Sequence, residues 1–494
     1  MVGSGAKGRL QSGTPWLDEV LDGGFLPRRS YLVRGGPGTG KTTLCLHFLR
    51  EGLRRGERVL FISLGEPADQ VRANAADMKF DLTDLPILDL SPSPDFFAEV
   101  RSYEIFSPAE VEREPLTKRI IAAVEQYRPE RVVVDPISQL RYLSQNSFQF
   151  RRQVLSFLHY LHDQGATVLF TSESSESDPD DYIQIVGDGV ITLENKLATR
   201  TLTVTKFRGS AFAPGKHSMR LTERGIEVYP RLVPEEYERS FAHEALPFGI
   251  SELDTMLEGG IERGTVTILT GPSGVGKTSL GMQFMREAAS RGERSVVYSF
   301  EEEIDVIMAR CEGLNIPAHQ MVKEGTLFIK KIEPLRYSAD EFARMVRDEV
   351  EEKGTRVVMI DSIAGFRLSL QGDFEDLVTR LHAQCKYLQN MGVVCLLINE
   401  VEAVSGEFRV TDMRFSYLAD NVLFARYMEH HTPEGVRLAK AFGILKKRLS
   451  NFDTSVRELK FSNQGLSLSP PLRDVTSILS SFPVWRPATE GQVR

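Results

Sequence analysis

The chain is written twice. PWLDEVLDGGFLPRRSYLVRGGPGTGKTTLCLHFL at 15–49 returns as SELDTMLEGGIERGTVTILTGPSGVGKTSLGMQFM at 251–285, so that Asp18 answers Asp254, Gly23-Gly24 answers Gly259-Gly260, and Lys277 follows Lys41 by 236 positions. Further on, RVVVDPIS at 131–138 answers RVVMIDSI at 356–363, and TVTKFRGS at 203–210 answers GILKKRLS at 443–450. A repeat of this length with its segments in constant order is a duplicated domain, not a short solenoid unit. The expected join lies near 230–247, in a proline-bearing, charged stretch without hydrophobic period. One domain is therefore expected at 1–235, and a second, with a short C-terminal segment, at 236–494.

Within each half, apolar runs (SYLVRG, RVLFISL, RVVVD, ATVLFT) alternate with amphipathic helical stretches. This predicts an α/β fold, each half a largely parallel twisted sheet flanked by helices. The composition, 41% hydrophobic and 26% charged, is that of a globular protein, and the net charge of −8 argues against a chain whose main task is gripping a nucleic-acid backbone. Cys45, Cys311, Cys385 and Cys395 stand far apart without a CxxC, so buried thiols are expected rather than a zinc ribbon or a disulfide framework. The opening MVGSGAKGRLQSG has no apolar signal core, and no apolar run reaches the ~18 residues of a membrane helix. The expected compartment is the cytoplasm.

GGPGTGKT at 35–42 and GPSGVGKT at 271–278 both satisfy G-x-x-x-x-G-K-[ST]. Small residues let the backbone curl so that its N–H groups point at phosphates, and the following helix adds its positive end. The expected ATP-binding residues are Gly35, Gly36, Pro37, Gly38, Thr39, Gly40, Lys41, Thr42 and Thr43, and in the second half Gly271, Pro272, Ser273, Gly274, Val275, Gly276, Lys277, Thr278 and Ser279. Lys41 and Lys277 would reach the β- and γ-phosphates; Thr42 and Thr278 would ligate Mg²⁺. Asp135 and Asp361 end apolar runs behind each P-loop, where parallel sheets place ligands, and read as the Walker B acids on the metal. A helix cap or turn aspartate is the bland alternative, which the matching order in both halves disfavours. Hydrolysis needs a carboxylate to orient or deprotonate water. SVVYSF is followed by Glu301, Glu302 and Glu303, whereas RVLFISL is followed only by Gly65 and Glu66; Glu66, Glu301 and Glu302 are the candidates. A solvated helix start would also explain the acidic run.

From about residue 9 to about 482, the LDxxLxGG lead-in, both P-loops, the following glutamates, both Walker B strands and two K-x-R segments resemble the KaiC family of the RecA/DnaB superfamily. The resemblance implies tandem RecA-like P-loop NTPase domains and a double-ring homohexamer with ATP at subunit interfaces. It also implies that Lys206 and Arg208, and Lys446 and Arg448, reach a neighbour's ATP, since i and i+2 on a strand share a face. The family's second domain is an autokinase acting on a Ser-Thr pair; aligning VTDMRFSYLADNVLF at 410–424 puts that pair at Ser416 and Tyr417, with a third hydroxyl at Thr411. The threonine is replaced, so Ser416 and Thr411 are the phosphosite candidates. Other departures are Gly65 in place of a first glutamate, Leu449 where the first half has Gly209, and only PATEGQVR after the segment that in the family controls the second-domain pore. Regulatory proteins are the partners implied. The competing readings are a DNA-dependent motor, against which stand the acidic balance and the lack of a basic-aromatic segment, and a regulator acting through nucleotide-dependent ring assembly. Arg141, Arg151 and Arg152 are the local cations that a DNA reading would use.

Overall fold

The computed structural model describes residues 8–92, 108–144, 146–173, 181–196, 199–369, 374–401, 417–432, 435–473, 475–476 and 484–485. Two compact units divide the chain, Met1–Arg231 and Leu232–Arg494.

The first unit contains β1 (Ser30–Gly35), β2 (Val59–Ser63), β3 (Ile87–Asp89), β4 (Arg131–Asp135), β5 (Thr167–Glu173), β6 (Gly189–Lys196), β7 (Thr199–Phe207), β8 (Lys216–Thr222) and β9 (Gly225–Tyr229). Their order in the sheet is β3-β2-β4-β5-β1-β6-β7-β8-β9. Neighbours from β3 to β6 are parallel, and β7 to β9 continue as an antiparallel meander. The second unit opens with a small ribbon, β10 (Ala245–Leu246) and β11 (Ile261–Glu262). Its sheet is built from β12 (Val266–Gly271), β13 (Ser295–Ser299), β14 (Leu327–Lys331), β15 (Val357–Asp361), β16 (Val394–Glu400), β17 (Asn421–Thr432), β18 (Gly435–Lys447), β19 (Arg457–Ser462) and β20 (Gly465–Leu468), in the order β14-β13-β15-β16-β12-β17-β18-β19-β20. The topology is that of the first unit, and the largely parallel sheets flanked by helices are those the alternating pattern predicts.

These strands are near-continuous apolar runs because both of their faces are covered. Period-2 alternation sends Tyr31 and Val33 of β1 into one core with Phe61, Val133 and Leu169, and Leu32 into the other with Ile62, Val134 and Phe170. In the second unit, Leu269, Val297 and Met359 share one core while Ile268, Tyr298 and Ile360 fill the opposite one.

The LDxxLxGG lead-in is structural. The Asp18 carboxylate accepts the Ser12 N–H at 2.9 Å, and that of Asp254 accepts the Phe248 and Gly249 N–H groups at 2.6 and 3.1 Å. At the second glycine of each pair the chain passes so close that a Cβ would lie 2.5 Å from the Leu10 carbonyl in one unit and 1.9 Å from the Leu246 carbonyl in the other.

Two details differ from the sequence pattern. Leu232 and Tyr237, in the aperiodic join, pack on the second unit: the Tyr237 ring stands edge-on to Tyr387 at 5.3 Å and beneath the Arg347 guanidinium at 4.5 Å. Two isolated anchors have no period to detect. Arg131 and Arg356, matched by the repeated RVV, are also not equivalent. β4 and β15 align on their terminal aspartates, which puts Val357 opposite Arg131. Arg131 is fully buried, ion-paired with Glu57 and donating to the Phe48 carbonyl at 2.9 Å.

Candidate functional site

Each P-loop follows the central strand of its sheet and ends on a glycine that starts the next helix. Gly40 (φ 101°) and Gly276 (φ 111°) are left-handed N-caps of Lys41–Arg54 and Lys277–Ser290. A Cβ at Gly276 would meet the Phe461 ring at 2.1 Å, so that position is closed to side chains on two grounds.

The P-loop lysines curl back onto their own loops. Lys41 Nζ donates to the Gly35 and Gly36 carbonyls at 3.0 and 2.9 Å, and Lys277 Nζ to those of Gly271 and Pro272 at 2.8 and 2.8 Å. Burial lowers the pKa of both; Glu173 and Asp135 counteract it at Lys41, and Glu400 and Asp361 at Lys277. Thr42 Oγ1 donates to Asp135 at 2.6 Å, and Thr278 Oγ1 to Asp361 at 2.7 Å. The P-loop hydroxyl and the strand-end carboxylate are thus paired in both clefts. Asp135 also accepts from Thr171. Burial raises both carboxyls, that of Asp361 to about 6 with Glu302 and Glu301 adding repulsion.

The glutamates differ between the clefts. In the second, Glu301 Oε1 accepts the Ser362 hydroxyl at 2.5 Å, Glu302 forms an ion pair with Arg310, and Glu303 turns to Lys331 at 3.1 Å. In the first, Glu66 stands at the chain position of Glu302, and its carboxylate accepts from Asn74 Nδ2 at 3.4 Å. Burial, then the charge of Asp135, raises its carboxyl pKa. Gly65 stands where the second cleft has Glu301, and a Cβ there would lie 3.0 Å from the Pro136 ring.

The second cleft has a volume of about 530 Å³ and collects Lys277, Thr278, Glu301, Glu302 and Asp361 with Arg310, Glu400, Lys440 and Phe461. The last four were missed from sequence. Lys440 reaches across from β18 to the Gly274 carbonyl at 3.1 Å and lies 4.1 Å above the Phe461 ring; in the first unit Arg200 reaches the Gly38 carbonyl at 2.7 Å from β7. Glu173 and Glu400 end the strands beside each P-loop strand, in register with Gly35 and Gly271. The shared terminal glutamate of TVLFTSE and VCLLINE is the signal that could have found these two.

The K-x-R cations lie elsewhere. Lys206 pairs across the sheet with Val190 and Lys446 with Val422, near the strand ends opposite the P-loops. Lys206 Nζ donates to the Gln184 and Ile185 carbonyls at 3.1 Å, and Lys446 Nζ to that of Ala419 at 2.5 Å. Arg208 and Arg448 fall one residue beyond their strands, 4.0 Å from Asp188 and 3.6 Å from Asp420, and about half of each side chain is exposed. Gly209 (φ 82°) makes a left-handed turn after the first, whereas Leu449 has no positive φ, so the second segment leaves its strand differently. Ser416 and Thr411 lie outside the described residues. Tyr417, where the resemblance expects a threonine, is exposed and edge-on to His382 at 5.8 Å.

Comparison with known proteins agrees in both halves. The family model of the KaiC ATPase matches residues 10–233 and again 246–473. The circadian clock protein KaiC3 of Synechocystis sp. is 27% identical over 502 residues, covering 98% of this chain and 96% of that one. The circadian clock oscillator proteins KaiC of Parasynechococcus marenigrum and Synechococcus elongatus are each 26% identical, over 96% and 94% of this chain and 93% and 90% of their own.

Proposed function

This chain belongs to the KaiC family of ATPases, and from that premise we propose that it is a slow regulatory ATPase working as a homohexameric double ring, each nucleotide being held between neighbouring copies. The family match in both halves supports an ATPase of this kind and lends the DNA-dependent motor no support. The observation that supports the ring is the placement of the K-x-R cations. Phe207 is in register with Gly189, and Gly189 with Tyr31, so the first K-x-R segment sits four residues, about 13 Å, along β1 from Gly35. Lys447, Asn421 and Thr267 repeat the arrangement four residues from Gly271. A cation pair at that distance serves another copy's phosphates, not its own.

In each cleft the P-loop N–H groups and lysine would hold the triphosphate, and the glutamate would orient water toward it. Thr42 with Asp135, and Thr278 with Asp361, suit Mg²⁺, a hard cation that keeps several water and phosphate ligands and needs few protein oxygens. When bound, Mg²⁺ would neutralise phosphate charge. The four cysteines are free and buried, and no helix among the described residues is long and apolar enough to cross a membrane; a cytoplasmic protein with reduced thiols is the location proposed. The relatives are named as clock proteins, and for this chain the proposal is a nucleotide-dependent switch read by regulatory partner proteins.

Mixing tests the ring. Lys41→Ala and Arg208→Ala proteins, in a Lys277→Ala background that silences the second cleft, should each have little turnover. Co-assembled, they should regain part of it, since a sound P-loop then faces sound cations across some junctions. No recovery, or full activity in the Arg208→Ala protein, removes the trans assignment. In the second domain the proposal extends to phosphoryl transfer onto Ser416 or Thr411. Phosphosite mapping after incubation with ATP and Mg²⁺ should find label that Ser416→Ala or Thr411→Ala removes; absence of label on both removes the kinase and leaves the ATPase.

A further inference from the structure

Arg310 brings to the second cleft a positive charge that the same chain position of the first does not carry. It lies in the helix Ile304–Gly313, and the matching helix Ala68–Asp77 carries Asn74 at the same place, 236 positions earlier. Arg310 grips Glu302 at two points: Nη1 donates to Oε1 at 3.1 Å, and Nη2 donates to Oε2. Two-point guanidinium–carboxylate pairing fixes direction as well as charge. Both side chains line the nucleotide cleft and remain about one-third exposed, at 34% and 37%. Asn74 offers Glu66 only a neutral contact at 3.4 Å.

The charges explain the difference. Gly65, Glu66 and Asn74 bring one negative charge to the first cleft; Glu301, Glu302 and Arg310 bring two negatives and one positive to the second. The additional glutamate comes with a neutralising arginine, and the net charge offered to an entering triphosphate is the same. Position separates the two glutamates further. Glu301 is held by the Ser362 hydroxyl at 2.5 Å, and that hydroxyl in turn accepts the Gly365 N–H at 3.0 Å, so Glu301 is fixed by the segment that follows Asp361. Glu302 is turned to the helix instead.

We propose that Arg310 is a positioning residue of the second cleft: it captures Glu302, withdraws that carboxylate from water activation and cancels its charge against the incoming nucleotide, leaving Glu301 to orient the water. This rests on the reading that the second cleft hydrolyses ATP. It makes the two adjacent glutamates unequal, and it makes the Arg/Asn difference at positions 310 and 74 a determinant of how each cleft divides binding from turnover.

The test uses the full chain with Lys41→Ala, so that turnover reports the second cleft, and a fluorescent ATP analogue to read affinity separately. Arg310→Asn should weaken ATP binding roughly five- to tenfold, the size expected of one uncompensated charge in a partly screened cleft. Adding Glu302→Gln should restore affinity, a coupling that a merely structural arginine would not show. Glu301→Gln should lower kcat on the order of a hundredfold, and Glu302→Gln at least tenfold less than that while tightening ATP binding. The reciprocal change, Asn74→Arg with Lys277→Ala, should instead lower kcat of the first cleft by roughly tenfold or more, because the new cation would capture its single glutamate. The proposal is overturned if the Arg310→Asn/Glu302→Gln protein binds ATP as weakly as Arg310→Asn, if Glu302→Gln loses as much kcat as Glu301→Gln, or if Asn74→Arg leaves kcat unmoved. Absence of any Lys277-dependent turnover would remove the ATPase reading of the second cleft alone; the affinity measurements would still decide the role of Arg310.

Discussion

The two nucleotide clefts agree where phosphate would sit and disagree where water would be activated. The lysine–carbonyl distances are 3.0 and 2.9 Å in one and 2.8 and 2.8 Å in the other, and the Thr–Asp distances are 2.6 and 2.7 Å. Beyond that frame the differences come in sets. Gly65 faces the Pro136 ring, whereas Glu301 faces the Ser362 hydroxyl, so the missing glutamate and the missing hydroxyl belong together. His47, a buried residue of the first P-loop helix, accepts the Ile226 N–H at Nε2 at 2.9 Å; Gln283 holds its place in the second unit and donates to the Phe248 carbonyl at 3.1 Å. Phe300, Phe342 and Phe366 pack with ring centroids 5.6 to 6.0 Å apart, while the first unit has Leu64 and Leu140 at the positions of Phe300 and Phe366 and a cleft of about 610 Å³, lined by Leu140, between its helices. Duplication preserved the phosphate geometry and let water chemistry and packing diverge in coordinated groups.

The largest effects should come from what the halves share. Lys41→Ala and Lys277→Ala should each abolish turnover of their own cleft, a loss on the order of a thousandfold there, or ~4 kcal/mol in transition-state binding. The two residual rates measured by phosphate release then apportion the total between clefts. Loss of all turnover in either single variant would break the picture of two separately competent sites.

Next in size is His47, whose pKa burial lowers to about 4 from an ordinary 6.5. Because the folded value lies below the unfolded one, the unfolded chain takes up the proton first as pH falls. The stability is fully present above about pH 6.5 and is lost progressively toward pH 4, by up to about 3 kcal/mol. With Trp485→Phe, Trp16 fluorescence reports denaturant unfolding of the first unit, and His47→Gln, the second unit's own choice, should flatten that dependence. An unchanged slope would mean that His47 titrates normally.

A smaller effect is expected from exchanging the water-handling pair. Gly65→Glu should lower first-cleft kcat by several-fold because its Cβ meets the Pro136 ring at 3.0 Å, and adding Pro136→Ser should recover roughly that factor. Additive losses, measured in a Lys277→Ala background, would show that the two positions are not coupled. Packing comes last. Phe366→Leu should cost about 1 kcal/mol in the second unit, and Leu140→Phe should cost less than that or stabilise the first, since it enters a cleft that is already open; denaturant midpoints decide both.

Much of this was legible without coordinates wherever a short stretch of chain carries the whole device. The P-loops, the strand-end aspartates and the alternation of strand and helix are local, and β-sheet periodicity alone assigns Tyr31 and Leu32 to opposite cores. The tertiary contributions were not local. Glu173 and Glu400 reach their sites through register with a strand far away in sequence, and Lys440 and Arg200 through a long antiparallel strand crossing over the P-loop. A lone arginine ten residues into an acidic stretch reads as surface charge; only the fold shows that Arg310 points at Glu302.

The amino-acid order by itself determined that two copies of one phosphate-binding α/β domain would form, because backbone curl, helix start and apolar period act over a few residues. That order also showed the copies to be unequal, with Gly65 where the second has Glu301; only the tertiary structure decided how the inequality is built. It did so by setting Pro136 against Gly65 and Ser362 against Glu301, contacts between segments far apart in sequence, and by turning Arg310 back onto Glu302, eight residues earlier; the strength of such contacts depends on distance and burial.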